Sequence, residues 1–149
     1  MKVTVKECIN AYNGIEGFPQ NGIPGMRGQM PAILAYKLGR LLGDLKPIVR
    51  EFDRAKEKIE EKYKEFMVEI KDQKTGRTIK RIQKEKEIEY QKEMNELGEV
   101  EEDREFYWVF LDDFRDPQNP DKWIQVDSTS MRLITPFLIE KKEEKKKEG

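Results

Sequence analysis

The side chains on which most enzymes depend are scarce in this chain. There is no histidine, which removes the commonest general base and the commonest metal ligand. A single cysteine, Cys8, permits neither an intramolecular disulfide nor a Cys-rich zinc site. Carboxylates gather in one place: Asp112, Asp113 and Asp116, with Glu101, Glu102 and Asp103 nearby. Clustered oxygen ligands can bind Mg²⁺ or Ca²⁺, but this spacing does not follow the EF-hand loop. Nothing in the sequence places two of these acids in a cleft for acid–base work. They read as solvated charge at strand ends, so no enzymatic activity and no cofactor are expected.

Three other groups have the composition of contact sites. Gly22, Gly25 and Gly28 stand just before a helix, where backbone N–H groups can cradle a phosphate. No buried strand precedes them and no Gly-Lys-Ser/Thr follows, so the confirming context is missing. The segment reads as a flexible linker, with Arg27 as the one side chain suited to a phosphate or an acidic partner. Lys74, Arg77, Lys80, Arg81 and Lys84 form a local basic cluster, which suits an anionic contact or a solvated tip. Phe106, Tyr107, Trp108, Phe110, Phe114 and Trp123 form an aromatic cluster. Such rings can stack on bases, but they more often fill a core, and Trp108 and Trp123 are the candidates for a protein-binding patch.

These groups must be positioned by regular elements. Thr4-Val5-Lys6-Glu7 has the pattern of a capping box, and Val5, Cys8, Ile9, Tyr12 and Ile15 keep helical spacing behind it. A Gly/Pro loop over 18–30 follows. Leu34, Leu38, Leu41, Leu45, Ile48, Phe52, Ala55 and Ile59 then alternate steps of four and three residues, the a/d spacing of a coiled-coil seam. The spacing predicts a helix over about 31–67, kinked or broken near Pro47. Val68-Glu69-Ile70 and Thr78–Ile82 flank a turn at Asp72–Gly76 and suit a hairpin. A second helix is expected over about 84–97, with Ile88, Gln91, Met94 and Leu97 on its packed face and Gly98 as its stop. Phe106–Leu111 and Trp123–Val126 read as two strands of an antiparallel hairpin. Ser128 or Ser130 then caps a short helix.

The composition agrees with a stripe-like core. Of 149 residues, 36% are apolar and 40% are charged, against about 45–50% and about 25% in an average globular domain. The 29 basic and 30 acidic residues are interleaved, which does not favour nucleic acid as a partner. No apolar run approaches the roughly 18 residues of a membrane span, and the first residues lack a signal-peptide core. A cytoplasmic protein is expected. The organisation is one elongated domain over 1–140 and a disordered Lys/Glu tail over 141–149. The expected fold is α+β, mostly α: a helical-hairpin arm, a short N-terminal helix and a small C-terminal β-hairpin.

The order of features resembles a known family. Met30-Pro31-Ala32-Ile33-Leu34-Ala35-Tyr36-Lys37-Leu38-Gly39-Arg40 is similar to a Leu-Pro-x-x-x-x-Tyr-Lys opening. A long charged helix ending near Glu61-Lys62-Tyr63, a second helix around Tyr90–Leu97, a strand, and a short helix before Pro136-Phe137-Leu138 follow it. This arrangement looks like a family of small tailed-bacteriophage proteins of unknown function. The resemblance implies a phage origin and carries over no catalytic residue. The expected function is a non-enzymatic protein–protein interaction module that binds and modulates a host protein. The alternative is a virion or assembly protein in which the stripe joins a second copy of the chain.

Overall fold

The computed structural model describes residues 2–26 and 30–139. Arg27, Gly28 and the Lys/Glu tail therefore lie outside the described residues. The chain folds as α+β, mostly α, with four α-helices and three two-stranded sheets among the described residues.

Helix α1 spans Val5–Glu16 and opens with the expected box. The Glu7 N–H donates to Thr4 Oγ1 at 3.1 Å, and the Thr4 N–H donates to Glu7 Oε1 at 2.9 Å. Two donors that have no helical partner are thereby satisfied. The helix buries Val5, Cys8, Ala11 and Ile15. At Gly14, a Cβ would stand 2.9 Å from the Ser130 carbonyl oxygen, so only glycine lets the C-terminal helix approach this closely. Just before α1, strand β1 (Val3–Thr4) pairs antiparallel with β4 (Glu101–Glu102), and the Val5 N–H extends the pairing to the Val100 carbonyl at 2.8 Å.

The Gly/Pro loop is not the flexible linker expected from its composition, at least over residues 18–26. Phe18 and Ile23 exchange backbone hydrogen bonds at 2.7 and 3.1 Å, and the Met26 N–H returns to the Ile15 carbonyl at 3.0 Å. Met26 is buried. The loop therefore caps the end of α1 and contributes a core side chain.

Helix α2 spans Ala32–Lys62 without a break, with Pro47 inside it. Pro47 lacks an N–H and leaves the Gly43 carbonyl without its helical donor. Both residues lie on the exposed side, where water replaces the lost partner, so the helix is not forced to divide. Its expected last residues instead form a 3-10 turn, Lys64–Phe66.

Leu34, Leu38, Leu41, Leu45 and Ile48 are buried along one side of α2, and Leu42 widens that face. They pack against α1, on whose other side α4 (Ser128–Ile134) lies, and against the C-terminal segment, in one core that includes Phe106, Val109, Phe114, Ile134 and Phe137. Further along the same stripe, Phe52, Ala55 and Ile59 are only half-buried. Strands β2 (Met67–Lys71) and β3 (Thr78–Ile82) then form the expected antiparallel hairpin, and α3 (Lys84–Gly98) returns along the arm.

Two parts of the C-terminal third differ from expectation. Phe106–Leu111 does not pair with Trp123–Val126. Only Val109–Phe110 is extended as β5, and it pairs in parallel with β6 (Leu138–Ile139). The acids after it stop the strand: the Asp113 carboxylate accepts the Phe110 N–H at 3.0 Å and helps close a 3-10 turn over Leu111–Phe114. Trp123 reaches only a single bridge with Arg115. Helix α4 is capped by Asp127, whose Oδ2 accepts the Ser130 N–H at 3.0 Å, and not by Ser128 or Ser130. Ser130 itself is buried under α1.

Candidate interaction surface

The arm is built around Tyr63, which is buried where α2 ends. Tyr90 of α3 meets it edge to face at 5.7 Å between ring centres, and Phe66 lies 6.4 Å away. Lys62 Nζ contacts Glu93 Oε1 at 2.7 Å across the two helices. The hydrogen bond from Lys62, then that from Tyr63, holds the Glu93 carboxyl below the usual carboxylate range. The reciprocal effect, the hydrogen bond to Glu93 followed by burial, pushes the Tyr63 hydroxyl up to about 12. The packed face of α3 therefore runs through Tyr90, Glu93, Met94 and Leu97. It is rotated from the expected one: Ile88 is 80% exposed and Gln91 is exposed. Shape and hydrogen bonding at Tyr63 select Tyr90 and Glu93 over a simple aliphatic stripe.

Beyond this joint the chain buries almost nothing. The β2–β3 register pairs Met67 with Ile82, Val68 with Arg81, Glu69 with Lys80, Ile70 with Ile79, and Lys71 with Thr78. Because residues directly opposite share a face, Val68, Ile70, Ile79 and Arg81 stand on one side. Glu69, Lys71, Thr78 and Lys80 stand on the other. Val68, Ile70 and Ile79 are 36%, 40% and 52% exposed. The turn is well specified: Asp72 accepts from the Lys74 N–H at 2.9 Å and from the Thr75 hydroxyl at 3.0 Å. Gly76 takes the left-handed φ of +71° that closes it. An isolated two-stranded hairpin is at best marginally stable in water. Here the turn, the Gln83 N–H to Phe66 carbonyl bond at 2.8 Å and Lys86 over the Phe66 ring at 5.0 Å fasten it to the arm.

Of the residues expected to make contacts, Lys74, Arg77 and Arg81 are brought together at this tip, all exposed. Trp108 and Trp123 belong to the head instead. Trp108 stacks on Phe137 at 5.9 Å and is half-buried there. Trp123 is half-exposed beneath the Arg115 guanidinium, 4.3 Å from its ring centre. It borders a groove of about 520 Å³ with Phe114, Ile124, Val126 and Met131. The exposed apolar face of the tip was not singled out in the sequence. The signal was present: Val68, Ile70 and Ile79 alternate with charges, and the chain has no remaining apolar segment to cover them.

The acidic cluster is committed to structure. Asp113 binds Lys37 Nζ at 2.6 Å as well as the Phe110 N–H. Asp112 holds Arg115 at 3.1 Å, and Asp116 accepts the Gln118 N–H at 2.9 Å. No group of three or more Asp, Glu, Cys or His among the described residues is placed to hold a metal ion. Cys8 is buried, and burial, followed by repulsion from Glu102 and Glu7, raises its thiol to about 12. It is a poor nucleophile for that reason. Among the described residues no helix is long and apolar enough to cross a membrane.

Fold and surface together define a class: a mostly helical α+β protein whose head is self-contained and whose arm ends in an uncovered basic hairpin. Compared with protein-family models, curated proteins and solved structures, the chain matches none.

Proposed function

We propose that this chain is a non-enzymatic protein–protein interaction module that makes its contact through the β2–β3 tip. One observation carries the reading. Val68, Ile70 and Ile79 share an exposed face on a hairpin that the other described elements leave uncovered. Contiguous apolar surface rimmed by charge is the usual mark of a docking site. Arg77 and Arg81 add a side-chain type that is enriched at binding hot spots. The tailed-phage resemblance is compatible with such a module acting on a host protein. Assembly through the heptad stripe has less support, since Leu34 to Ile48 are already covered within one chain.

The test is a photo-crosslinking amino acid placed at Ile79, with the same group at exposed Ile88 of α3 as control, in lysate of the host. A discrete adduct from position 79 and none from position 88 is expected. Absence of any adduct at 79, or equal labelling at 88, overturns the assignment to the tip.

A further inference from the structure

The hairpin offers two free edges, and they differ. Hydrogen-bonded and non-bonded pairs alternate along an antiparallel ladder. The bonds Gln83 N–H to Phe66 C=O and Asp72 N–H to Arg77 C=O, both 2.8 Å, fix the phase. Residues 68 and 70 therefore turn their backbone groups inward to β3. Glu69 and Lys71 turn theirs outward on the β2 edge, and Thr78 and Lys80 do so on the β3 edge. An unpaired edge is a template for another strand.

We infer that the partner at the β2 edge is a second copy of this chain, with β2 pairing antiparallel to the β2 of its partner about a twofold axis at Ile70. The inference rests on the tip being the contact surface and specifies its occupant. In that register Glu69 lies opposite Lys71 of the partner subunit, and Lys71 opposite the partner's Glu69. Both pairs join opposite charges. All four residues have outward backbone groups, so four N–H···O=C bonds form. Ile70 meets the partner's Ile70 at the axis, flanked on each side by Ile79. The uncovered apolar face thus becomes one continuous row across a four-stranded sheet. The two helical arms leave from opposite ends of that sheet, so neither obstructs the other.

Most alternative self-pairings are opposed by charge, and the rest gain nothing from it. A β2 register centred on Glu69 sets that carboxylate against its own copy. On the β3 edge, the twofold registers centred on Ile79, Lys80 and Arg81 set basic side chains together: Arg77 against Arg81, Lys80 against Lys80, or Arg81 against Arg81. The one centred on Thr78 avoids this but joins no opposite charges within the strand. Like charges directly opposite one another are destabilising, and lysine is a common guard of edge strands. The β2 register centred on Val68 sets Glu69 against Met67, so within the strand the register centred on Ile70 is the one that joins two pairs of opposite charges.

Light scattering of the full chain over a concentration series is expected to show a monomer–dimer equilibrium. Lys71→Glu should raise the dissociation constant about tenfold or more, since both cross-strand pairs turn repulsive. Glu69→Lys should do the same, and the double variant Glu69→Lys, Lys71→Glu should restore the dimer. In a second arm, mild oxidation of Ile70→Cys should give a covalent dimer, because Cα atoms of a non-bonded pair stand about 4.5 Å apart, within disulfide reach. Ile79→Cys should not, its copies being three strand spacings apart, about 14 Å. The buried Cys8 is left in place. A monomer at all concentrations overturns the inference, as does failure of the double variant to restore association, or equal cross-linking at 70 and 79. A monomer whose position 79 still captures a foreign protein defeats only the second copy. A tip that captures nothing and does not self-associate defeats the interaction reading as well.

Discussion

One helix passes through two different environments. Between Leu34 and Ile48 the α2 stripe lies in one core with α1, α4 and the aromatic C-terminal segment. Phe52 packs partly on that same core, and Ala55 and Ile59 beyond it are only half-buried. Beyond Tyr63 the apolar residues of the hairpin are open to solvent. Spacing is constant along the helix, so periodicity alone does not determine burial. What differs is the supply of covering elements. The head receives three of them, whereas the arm receives one helix of modest apolar content. The head is therefore where stability is concentrated, and the tip is where apolar surface remains for a partner.

The sharpest way to break this contrast is to place a charge at equivalent stripe positions. Leu45→Asp puts an unpaired carboxylate into the head core and removes a packed side chain. The two effects should cost about 4 kcal/mol or more, a large part of the roughly 5–15 kcal/mol that holds a domain together. Loss of the cooperative thermal transition in circular dichroism is expected. Ile59→Asp, at the corresponding position in the arm, should retain that transition at a lower midpoint. Equal damage from both would mean that head and arm are one core.

A smaller effect is expected at the edge of the head. Asp113 holds Lys37 and the Phe110 N–H together, which ties α2 to the turn after β5. Asp113→Ala leaves both donors without that acceptor and should cost about 2 kcal/mol, read as a shifted urea midpoint. The predicted tip contacts should be unaffected by it.

In the arm, acid should act through Glu93. Its folded-state carboxyl is held below the ordinary range, first by Lys62 and then by Tyr63. A depressed carboxyl contributes stability that is present above its unfolded value, about 4.3, and is lost as pH falls through the lower folded value. Amide protection factors in α3, taken relative to the intrinsic rate at each pH, should fall over that acid window, and Glu93→Gln should remove this part of the pH dependence. The Lys62 ammonium is well exposed, so solvent screens the pair and the effect is modest.

The elements legible in the sequence were those set by local rules. Thr4 and Glu7 announce α1, the turn residues Asp72 to Gly76 announce the hairpin, and the heptads announce α2. Pairings between distant segments were not legible. Val109–Phe110 has its partner at Leu138–Ile139, and no local alternation records that parallel match. The intervening Trp123–Val126 looked like the partner because it was nearest and apolar. Likewise the first half of the α3 face depended on Tyr63, far earlier in the chain, and not on the spacing of Ile88 and Gln91. For the candidate surface, the basic residues were visible as a cluster. The bare aliphatic face beside them became visible only when every other apolar segment had been placed.

The smallest expected effect bears most directly on function. Ile79→Thr keeps a β-branched side chain suited to a strand and removes apolar surface that the chain leaves open. Its partner Ile70 is also exposed, so little folding free energy is at stake. We expect the thermal midpoint to stay within the range of ordinary surface substitutions, about 0.5 kcal/mol, while association through the tip weakens. A substitution that lowers stability as Leu45→Asp does would place Ile79 in a core. One that changes neither stability nor association would leave its exposed side chain without a role in binding. Separation of the two readouts is what distinguishes a residue kept for a partner from one kept for the fold.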